Sequence, residues 1–527
     1  MKQGSPERKT AVSTAVVMVS TLASRLFGFV RIAVVGAIFG ASGEADVLNL
    51  VFNIPNNLRK LLAEGALSSA FIPALTRAHV EDPQGQRARG IVQRLIGLQL
   101  LILVPLLVLA SIFPGWIVGV ILDFPEASRQ VLAADLFRYL IHYVLLISIA
   151  AVLMGTLNSE QRFLVPAVAP LWFSIAVIAT VLTLHRSLGV YSMVVGVLIG
   201  GFGQLLIQVP PVLRSGYTLR PRFTFREPHF QLILRRWLPV VSTASVFAIN
   251  QQIALFFASG LEDGSGSAMT NALVFWQLPF GIFSASITTV LFPAMSRYAA
   301  AGDDDSLSLS VMQGLRGLML LLVPAGIGLI VLGEPIIAVA LQRGAFLAGD
   351  TQRAAGVLTG YSLGLFSVGA FTFLQRFFYA CDNYRTPLVV ATLTMIADVG
   401  LSLWLKETQL RVVGLSVANS IAFSVGLVLF LILFRRRGPA FRLAPLVAPT
   451  LIAVVASSGA LGTVLLVRRV HAAMDLSRWW LSGSSWGSLG LLFTEMLPAI
   501  AVLYLVYHIS GIRVVALLRG RSASVAK

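Results

Sequence analysis

The chain has 527 residues, of which 57% are hydrophobic and only 12% are charged. A soluble domain carries about 25% charged residues, so this composition excludes a soluble fold of this length. The formal net charge of +17 would suit nucleic acid, but the basic residues lie between apolar runs and not along one polar face, which argues against that partner. The composition predicts an all-α polytopic membrane protein whose surroundings are the lipid bilayer.

Residues for metal binding or catalysis are scarce. Cys381 is the single cysteine, which excludes a disulfide framework and a multi-cysteine metal site. The six histidines lack the spacing of a zinc centre, and no loop supplies the paired acids or the His/Arg cluster of a membrane enzyme. We therefore expect no catalytic residue, no firmly assignable metal site and no cofactor, and the chain is predicted to be a transporter.

Fourteen apolar segments are long enough to cross a bilayer, for which about 20 residues are needed. An even number of spans places both termini on the same side of the membrane. Lys and Arg are concentrated in alternate connections, at the N-terminus and in the tail, so both termini are predicted to be cytoplasmic. The predicted spans are 12–39, 45–75, 92–121, 131–156, 166–184, 189–213, 236–260, 268–296, 309–333, 354–380, 387–405, 410–434, 446–467 and 489–511.

Short motifs recur along the chain at a nearly constant distance. The sequence PALTR at 73–77 returns as PAMSR at 293–297, and the prolines Pro55 and Pro279 follow similar lead-in sequences. The stretches 158–166 and 189–192 also resemble 383–387 and 414–417. These repeats predict two pseudo-symmetric six-helix lobes, residues 1–230 and 231–440, followed by two additional helices and a basic tail in 441–527. Repeated halves are typical of transporters, although a duplicated scaffold without transport activity is the alternative.

Charged residues inside predicted spans form a first candidate site. Arg25 and Arg31 lie in the first span, whereas Arg59 and Asp46 lie in the second. A charge in the membrane costs several kcal/mol unless it faces water, a partner or a polar ligand. Buried ion pairs are one explanation. An anion-binding cavity is the other, because guanidinium groups bind phosphate oxygens bidentately.

A second candidate site lies in the other half of the chain. Asp398 is near the middle of the eleventh span, and Asn250 and Asn419 lie at comparable depth in the seventh and twelfth spans. A carboxylate with amide oxygens suits Na⁺ or proton coupling. The alternative is a polar residue that neighbouring helices satisfy.

The charged motifs of the first two spans resemble those of a known family, the bacterial lipid II flippases (MurJ/MviN). The resemblance rests on SRLFGFVR at 24–31, IPNNLRKLLAEGA at 54–66 and AFIP at 70–73, with RFFYA at 376–380 and RTP at 385–387 further on. It implies a fourteen-span member of the multidrug/oligosaccharidyl-lipid/polysaccharide exporter superfamily. The family's essential arginines would correspond to Arg25, Arg31 and Arg59, and its acidic residue to Asp46.

The resemblance also implies a function. Such a protein would flip undecaprenyl-pyrophosphate-linked disaccharide-pentapeptide to the outer leaflet of the bacterial inner membrane for cell-wall synthesis, and it would act as a monomer. The last two spans would form a groove for the lipid tail. The alternative within the superfamily is a drug/cation antiporter or another lipid-linked polysaccharide exporter. A cationic drug would require carboxylates in the cavity, which disfavours the antiporter.

Two positions depart from the family pattern. Many members carry a cavity arginine shortly before the eighth-span proline, where this chain has LVFWQ at 273–277. The acidic residue that often follows the second first-span arginine is replaced by Ile32. A diphosphate contact from an eighth-span arginine is therefore not expected here.

Overall fold

The computed structural model of the chain describes residues 6–62, 71, 74–78, 81–82, 84–438, 442–474 and 485–512. Over these residues the chain is helical and has no β-strand, which confirms the predicted all-α architecture. It divides into two compact units, Met1–Gln252 and Ile253–Lys527. The finer division at residues 230 and 440 stays a prediction.

The first unit contains nine helices whose bounds are described and the larger part of a tenth, and residues 74–78 are helical as well. Helix α10 begins in this unit and ends in the second one, because the division falls after Gln252. The helices are α1 Pro6–Phe39, α2 Glu44–Leu62, α3 Gln86–Ile112, α4 Pro114–Ile121, α5 Ala127–Leu140, α6 Tyr143–Ser159, α7 Leu164–Leu188, α8 Tyr191–Leu206, α9 Val209–Arg214 and α10 Pro228–Ser259.

The second unit continues with nine further α-helices in the described part of the chain. A π-helical turn, Phe280–Ser284, directly follows α11, and a 3₁₀ turn, Ala444–Leu446, precedes α18. The helices are α11 Ser265–Pro279, α12 Ala285–Ala301, α13 Asp304–Leu341, α14 Ala348–Leu363, α15 Leu365–Ala380, α16 Arg385–Leu405, α17 Arg411–Arg435, α18 Val447–Ala473 and α19 Ser485–Ile509.

The membrane spans follow from helix length and apolar composition. Eleven helical segments of the described chain are long and apolar enough to cross a bilayer, and α14 with α15 makes a twelfth if this pair, bent by 47°, counts as one span. These twelve coincide with the third to fourteenth predicted spans. The first two predicted spans coincide with α1 and α2, of which α2 carries two acidic residues in its first turn. The chain is therefore a multi-pass membrane protein, and the total of fourteen spans stays a prediction.

The internal repeat is visible in the backbone. Gln161 and Asp382 both have positive φ, at 59° and 54°, and are 221 residues apart. Gly189 and Arg411, at 53° and 49°, are 222 residues apart. Because a non-glycine residue rarely adopts positive φ, the recurrence of these turns at one spacing identifies equivalent helix ends in the two units. The fourth span, which breaks between α5 and α6, and the tenth, which breaks between α14 and α15, add a third equivalent feature.

The two C-terminal helices pack on α13 within the second unit. The Tyr507 hydroxyl on α19 donates a hydrogen bond to the Leu320 carbonyl, at 2.6 Å. Arg468 on α18 forms a bidentate ion pair with Glu495 on α19, with both N–O distances at 2.9 Å. Arg468 also donates to the Val331 carbonyl at 2.8 Å. These polar contacts fix the last two helices to the unit in addition to their apolar packing.

Candidate functional site

Arg31 occupies an aromatic pocket where four helices of the first unit meet. Its guanidinium carbon lies 5.8 Å from the ring centre of Phe52 on α2 and 5.1 Å from that of Phe173 on α7. Tyr143, the first residue of α6, packs against Phe173 with ring centres 5.2 Å apart. Aromatic faces attract a cation within about 6 Å. The pocket therefore holds a half-buried arginine of the predicted first span without a carboxylate partner among the described residues.

The other charged residues lie at different heights on α1 and α2. These helices are joined by the short connection 40–43 and run in opposite directions, so residues equally far from that connection lie at similar height. At about 1.5 Å per residue, Arg25 and Arg59 lie at similar height, about 10 Å further from the connection than Arg31. Asp46 is buried near the start of α2, about 20 Å along this helix from Arg59. That distance excludes a direct ion pair between Asp46 and Arg59.

Arg59 is held on its own helix by a local contact. Its Nε donates a hydrogen bond to Asn56 Oδ1 at 3.1 Å, and its charge acts electrostatically on Arg31. Arg25 is exposed on α1 and makes no ion pair with a described residue. The first two helices thus bring three guanidinium groups into a layer about 10 Å deep. Such a layer suits an extended polyanion better than a single carboxylate.

Asn57 is a member of this region that the sequence did not single out. Its side chain is 5% exposed, and neither its amide oxygen nor its amide nitrogen has a hydrogen-bond partner among the described residues. Leaving a buried polar group unsatisfied costs about 1–3 kcal/mol, so native proteins rarely retain one without a reason. The sequence feature that could have identified Asn57 as a candidate site residue is its position between Pro55 and Arg59. A polar ligand that reached this depth would find an amide ready to bind it.

The second candidate site is partly assembled by the structure. Asp398 on α16 is buried, and its Oδ2 accepts a hydrogen bond from Asn419 Nδ2 on α17 at 2.7 Å. The Asp398 Oδ1 accepts a weak hydrogen bond from Ser402 Oγ at 3.4 Å. The Asp398 carboxylate also interacts electrostatically with Tyr361 on α14. Asn250 is also buried but belongs to the first unit. Its part in a common cation site stays a prediction.

One residue of the stretch 273–277, where an eighth-span arginine is absent, has a structural role. Trp276 on α11 donates its indole N–H to the Tyr361 carbonyl at 3.0 Å, and its ring stacks on Phe280 at 4.9 Å. The same carbonyl also accepts from Ser420 Oγ on α17 at 3.3 Å. Trp276 therefore braces α11 against α14 beside Asp398, and it brings no positive charge.

An arginine within a span of the second unit escaped the sequence analysis. Arg316 lies on α13 inside the predicted span 309–333, and its buried Nε has no hydrogen-bond partner in the described part of the chain. Arg316 was overlooked because apolar residues dominate this span. Arg316 shows that the second unit also carries a guanidinium group within a membrane span.

Comparison with known proteins identifies relatives along nearly the whole chain. The family model "Lipid II flippase MurJ" matches residues 35–482. A probable lipid II flippase MurJ of Borreliella burgdorferi is 33% identical, covering 96% of this chain and 97% of the relative. The corresponding protein of Vibrio cholerae is 30% identical over 78% of this chain and 80% of its own length.

Solved structures share the fold. A lipid II flippase MurJ in an inward closed conformation superimposes with a TM-score of 0.75 at 23% identity, covering 94% of this chain and 99% of that one. An inward-facing multidrug resistance transporter of the MATE family gives a TM-score of 0.65 at 16% identity, over 80% of this chain and 97% of that one. At these identities the structural likeness concerns the fold alone.

Proposed function

Because the chain belongs to the lipid II flippase MurJ family, we propose that it moves lipid II from the cytoplasmic to the outer leaflet. Lipid II is an undecaprenyl-pyrophosphate-linked disaccharide-pentapeptide, so its transport would supply peptidoglycan synthesis. The observation that carries this proposal is Arg31, a half-buried guanidinium held between two aromatic rings inside a membrane helix. The chain would act as a transporter and not as an enzyme.

The diphosphate of lipid II is the group that these arginines would bind. A guanidinium can donate two parallel hydrogen bonds to phosphate oxygens, and each charge-assisted bond contributes about 1.5–3 kcal/mol. The rings beside Arg31 orient the guanidinium without neutralising it, which leaves its charge available to an anion. Arg59 and Arg25, which belong to the same layer, would bind the second phosphate. Alternating access of the two repeats would then carry the headgroup across the membrane.

We also propose that Asp398 couples transport to a cation. Its carboxylate is paired with the Asn419 amide and lies close to the Ser402 hydroxyl, which together offer oxygen ligands suited to Na⁺. The same buried carboxylate would serve as a proton carrier if protons drive transport.

Membrane placement follows the family and the charge bias. The protein would reside in the bacterial inner membrane as a monomer with both termini cytoplasmic, because the basic connections are retained on that side. A drug/cation antiporter with the same fold is the rival function. A cationic substrate would select carboxylates, whereas the first unit presents arginines at the candidate site.

Growth rescue in cells depleted of their own lipid II flippase tests the proposal. The chain should support growth, Arg31→Lys should retain part of the activity because the charge remains, and Arg31→Ala should fail at equal membrane abundance. Arg186→Ala, which removes an exposed arginine from the last turn of α7, is the matched control and should rescue fully. Full rescue by Arg31→Ala would show that Arg31 does not bind the diphosphate.

A further inference from the structure

A cavity of about 360 Å³ opens at the basic end of the second unit. It lies where α15 ends, α16 begins and α17 ends, and this end of the unit is predicted to be cytoplasmic. Its floor includes the apolar side chain of Phe378. Its polar lining is formed by Cys381, Asn383, Thr386, Arg436 and Arg437.

Local hydrogen bonds fix the lining in place. Asn383 Nδ2 donates to Thr386 Oγ1 at 2.9 Å, and the Thr386 backbone N–H donates to Asn383 Oδ1 at 3.1 Å. The Arg437 guanidinium lies 5.3 Å from the ring centre of Phe377 and is hydrogen-bonded to the Cys381 thiol. The Arg436 side chain is exposed and makes no hydrogen bond with the described residues, whereas its backbone N–H donates to the Ile432 carbonyl at 3.1 Å. One guanidinium is therefore positioned and the other is available.

The internal repeat supplies a comparison, because the first unit has the same helix ends. The 221-residue spacing relates Cys381 to Glu160 and Gly438 to Tyr217. In the first unit Tyr217 is 3% exposed, and its hydroxyl donates a hydrogen bond to Glu160. Burial, together with Glu160, raises the pKa of Tyr217 above its ordinary value, so the hydroxyl stays protonated. The chain thus fills this crevice with its own side chain.

The described residues of the second unit include no such plug. Gly438 has no side chain, and a Cβ added there would meet no described atom within 4 Å. Where the first unit has a carboxylate at Glu160, the second has the neutral Cys381. Where the first unit has Ser215 and Gly216, the second has Arg436 and Arg437. Within the described part of the chain, the equivalent crevice is therefore open and positively charged.

The surrounding charges and surfaces define the ligand. Asp304 and Asp382 are the carboxylates whose charge reaches Cys381, and neither lines the cavity. One turn further into the spans, Val389 on α16 and Ile432 on α17 are 57% and 44% exposed, which provides a surface for acyl chains. A ligand that fits both the basic cavity and this apolar surface has a phosphate that binds the arginines and acyl chains that pack against α16 and α17. We propose that this cavity binds the phosphate of an anionic phospholipid headgroup from the adjoining leaflet.

Native mass spectrometry of the purified full chain tests this proposal with phosphatidylglycerol and phosphatidylcholine as probes. The double substitution Arg436→Gln/Arg437→Gln should lower retention of phosphatidylglycerol about tenfold or more, since two charge-assisted contacts are lost. Retention of phosphatidylcholine should not change. The control Arg435→Gln removes a neighbouring exposed arginine that does not line the cavity and should behave as the parent.

Three outcomes would overturn the proposal. They are equal phosphatidylglycerol retention by the parent and the double variant, an equal loss in the control, and displacement of the lipid by millimolar inorganic phosphate. The last would assign the cavity to a soluble anion. Should the double variant lose its folded state in detergent, Arg436→Gln alone remains decisive because the Arg436 side chain makes no hydrogen bond with the described chain. It should still weaken phosphatidylglycerol retention severalfold, and parent-like retention would refute the site.

Discussion

Removing Arg468 should destabilise the protein more than neutralising its partner Glu495. The two side chains differ in burial, since that of Glu495 is 4% exposed and that of Arg468 is 42% exposed. Arg468→Ala leaves a carboxylate buried without a cation, for which the cost is about 3–5 kcal/mol. Glu495→Gln leaves a guanidinium that can turn toward water, and the amide oxygen still accepts one hydrogen bond. We expect this cost to be about 1 kcal/mol.

The asymmetry predicts a specific double-mutant result. Arg468→Ala combined with Glu495→Gln should be more stable than Arg468→Ala alone, because the second substitution removes the stranded charge. The assay is the midpoint of thermal unfolding in detergent micelles, followed by the monodisperse fraction. Arg469→Ala, an exposed neighbour on α18, is the control and should match the parent. Equal losses for the two single variants, or additive losses in the double variant, would refute the reasoning.

Three further predictions concern other parts of the chain. Asp398→Asn should insert normally but lose the dependence of transport on a Na⁺ or proton gradient, whereas unchanged transport under both gradients would leave Asp398 a structural residue. Gly97→Ala should lower the free energy of unfolding by about 1–3 kcal/mol, because the added Cβ would lie 2.2 Å from the Arg222 carbonyl oxygen. The control Gly115→Ala, whose Cβ would meet no described atom within 4 Å, should leave thermal unfolding unchanged. Equal effects of the two variants would contradict this prediction. Asp303 caps α13 through Ser306, whose hydrogen bonds lower the pKa of the carboxyl. Asp303→Ala should therefore be less stable than the parent near pH 7, and this difference in stability should vanish as the pH falls below about 4. A difference in stability that does not change with pH would exclude the charge effect.

Helix placement was predictable wherever one physical signal dominated. The third to fourteenth spans follow from apolar length, because the bilayer requires about 20 such residues in each. The breaks at 141–142 and at Gly364 were not predicted, since both sequences remain apolar through the break and hydropathy does not register backbone direction. The second predicted span, 45–75, matches a helix that ends at Leu62, and residues 63–70 lie outside the described chain.

The candidate sites were predictable only as far as the charges themselves. Arg31 stood out because an arginine in a membrane span is costly, but its partner Phe173 lies more than a hundred residues away and is one of many phenylalanines. Asp398 and Asn419 were grouped by their depth in the predicted spans. In the structure Asn419 Nδ2 donates a hydrogen bond to Asp398 Oδ2 at 2.7 Å, and their part in a cation site stays a prediction. Asn57 was missed because an unsatisfied polar atom can be recognised only once its surroundings are known. Arg316 was visible in the sequence as a charge inside the predicted span 309–333 and was overlooked there.

The central claim is that the arginines of the first unit bind and move a lipid-linked diphosphate. The most direct test is the accessibility of lipid II on the outer face of liposomes that contain the purified chain and lipid II. The parent should bring lipid II to that face, and Arg31→Ala should not, at equal protein content and with the same thermal stability. Outward movement by Arg31→Ala at the rate of the parent, or none by the parent under either a Na⁺ or a proton gradient, would contradict the claim.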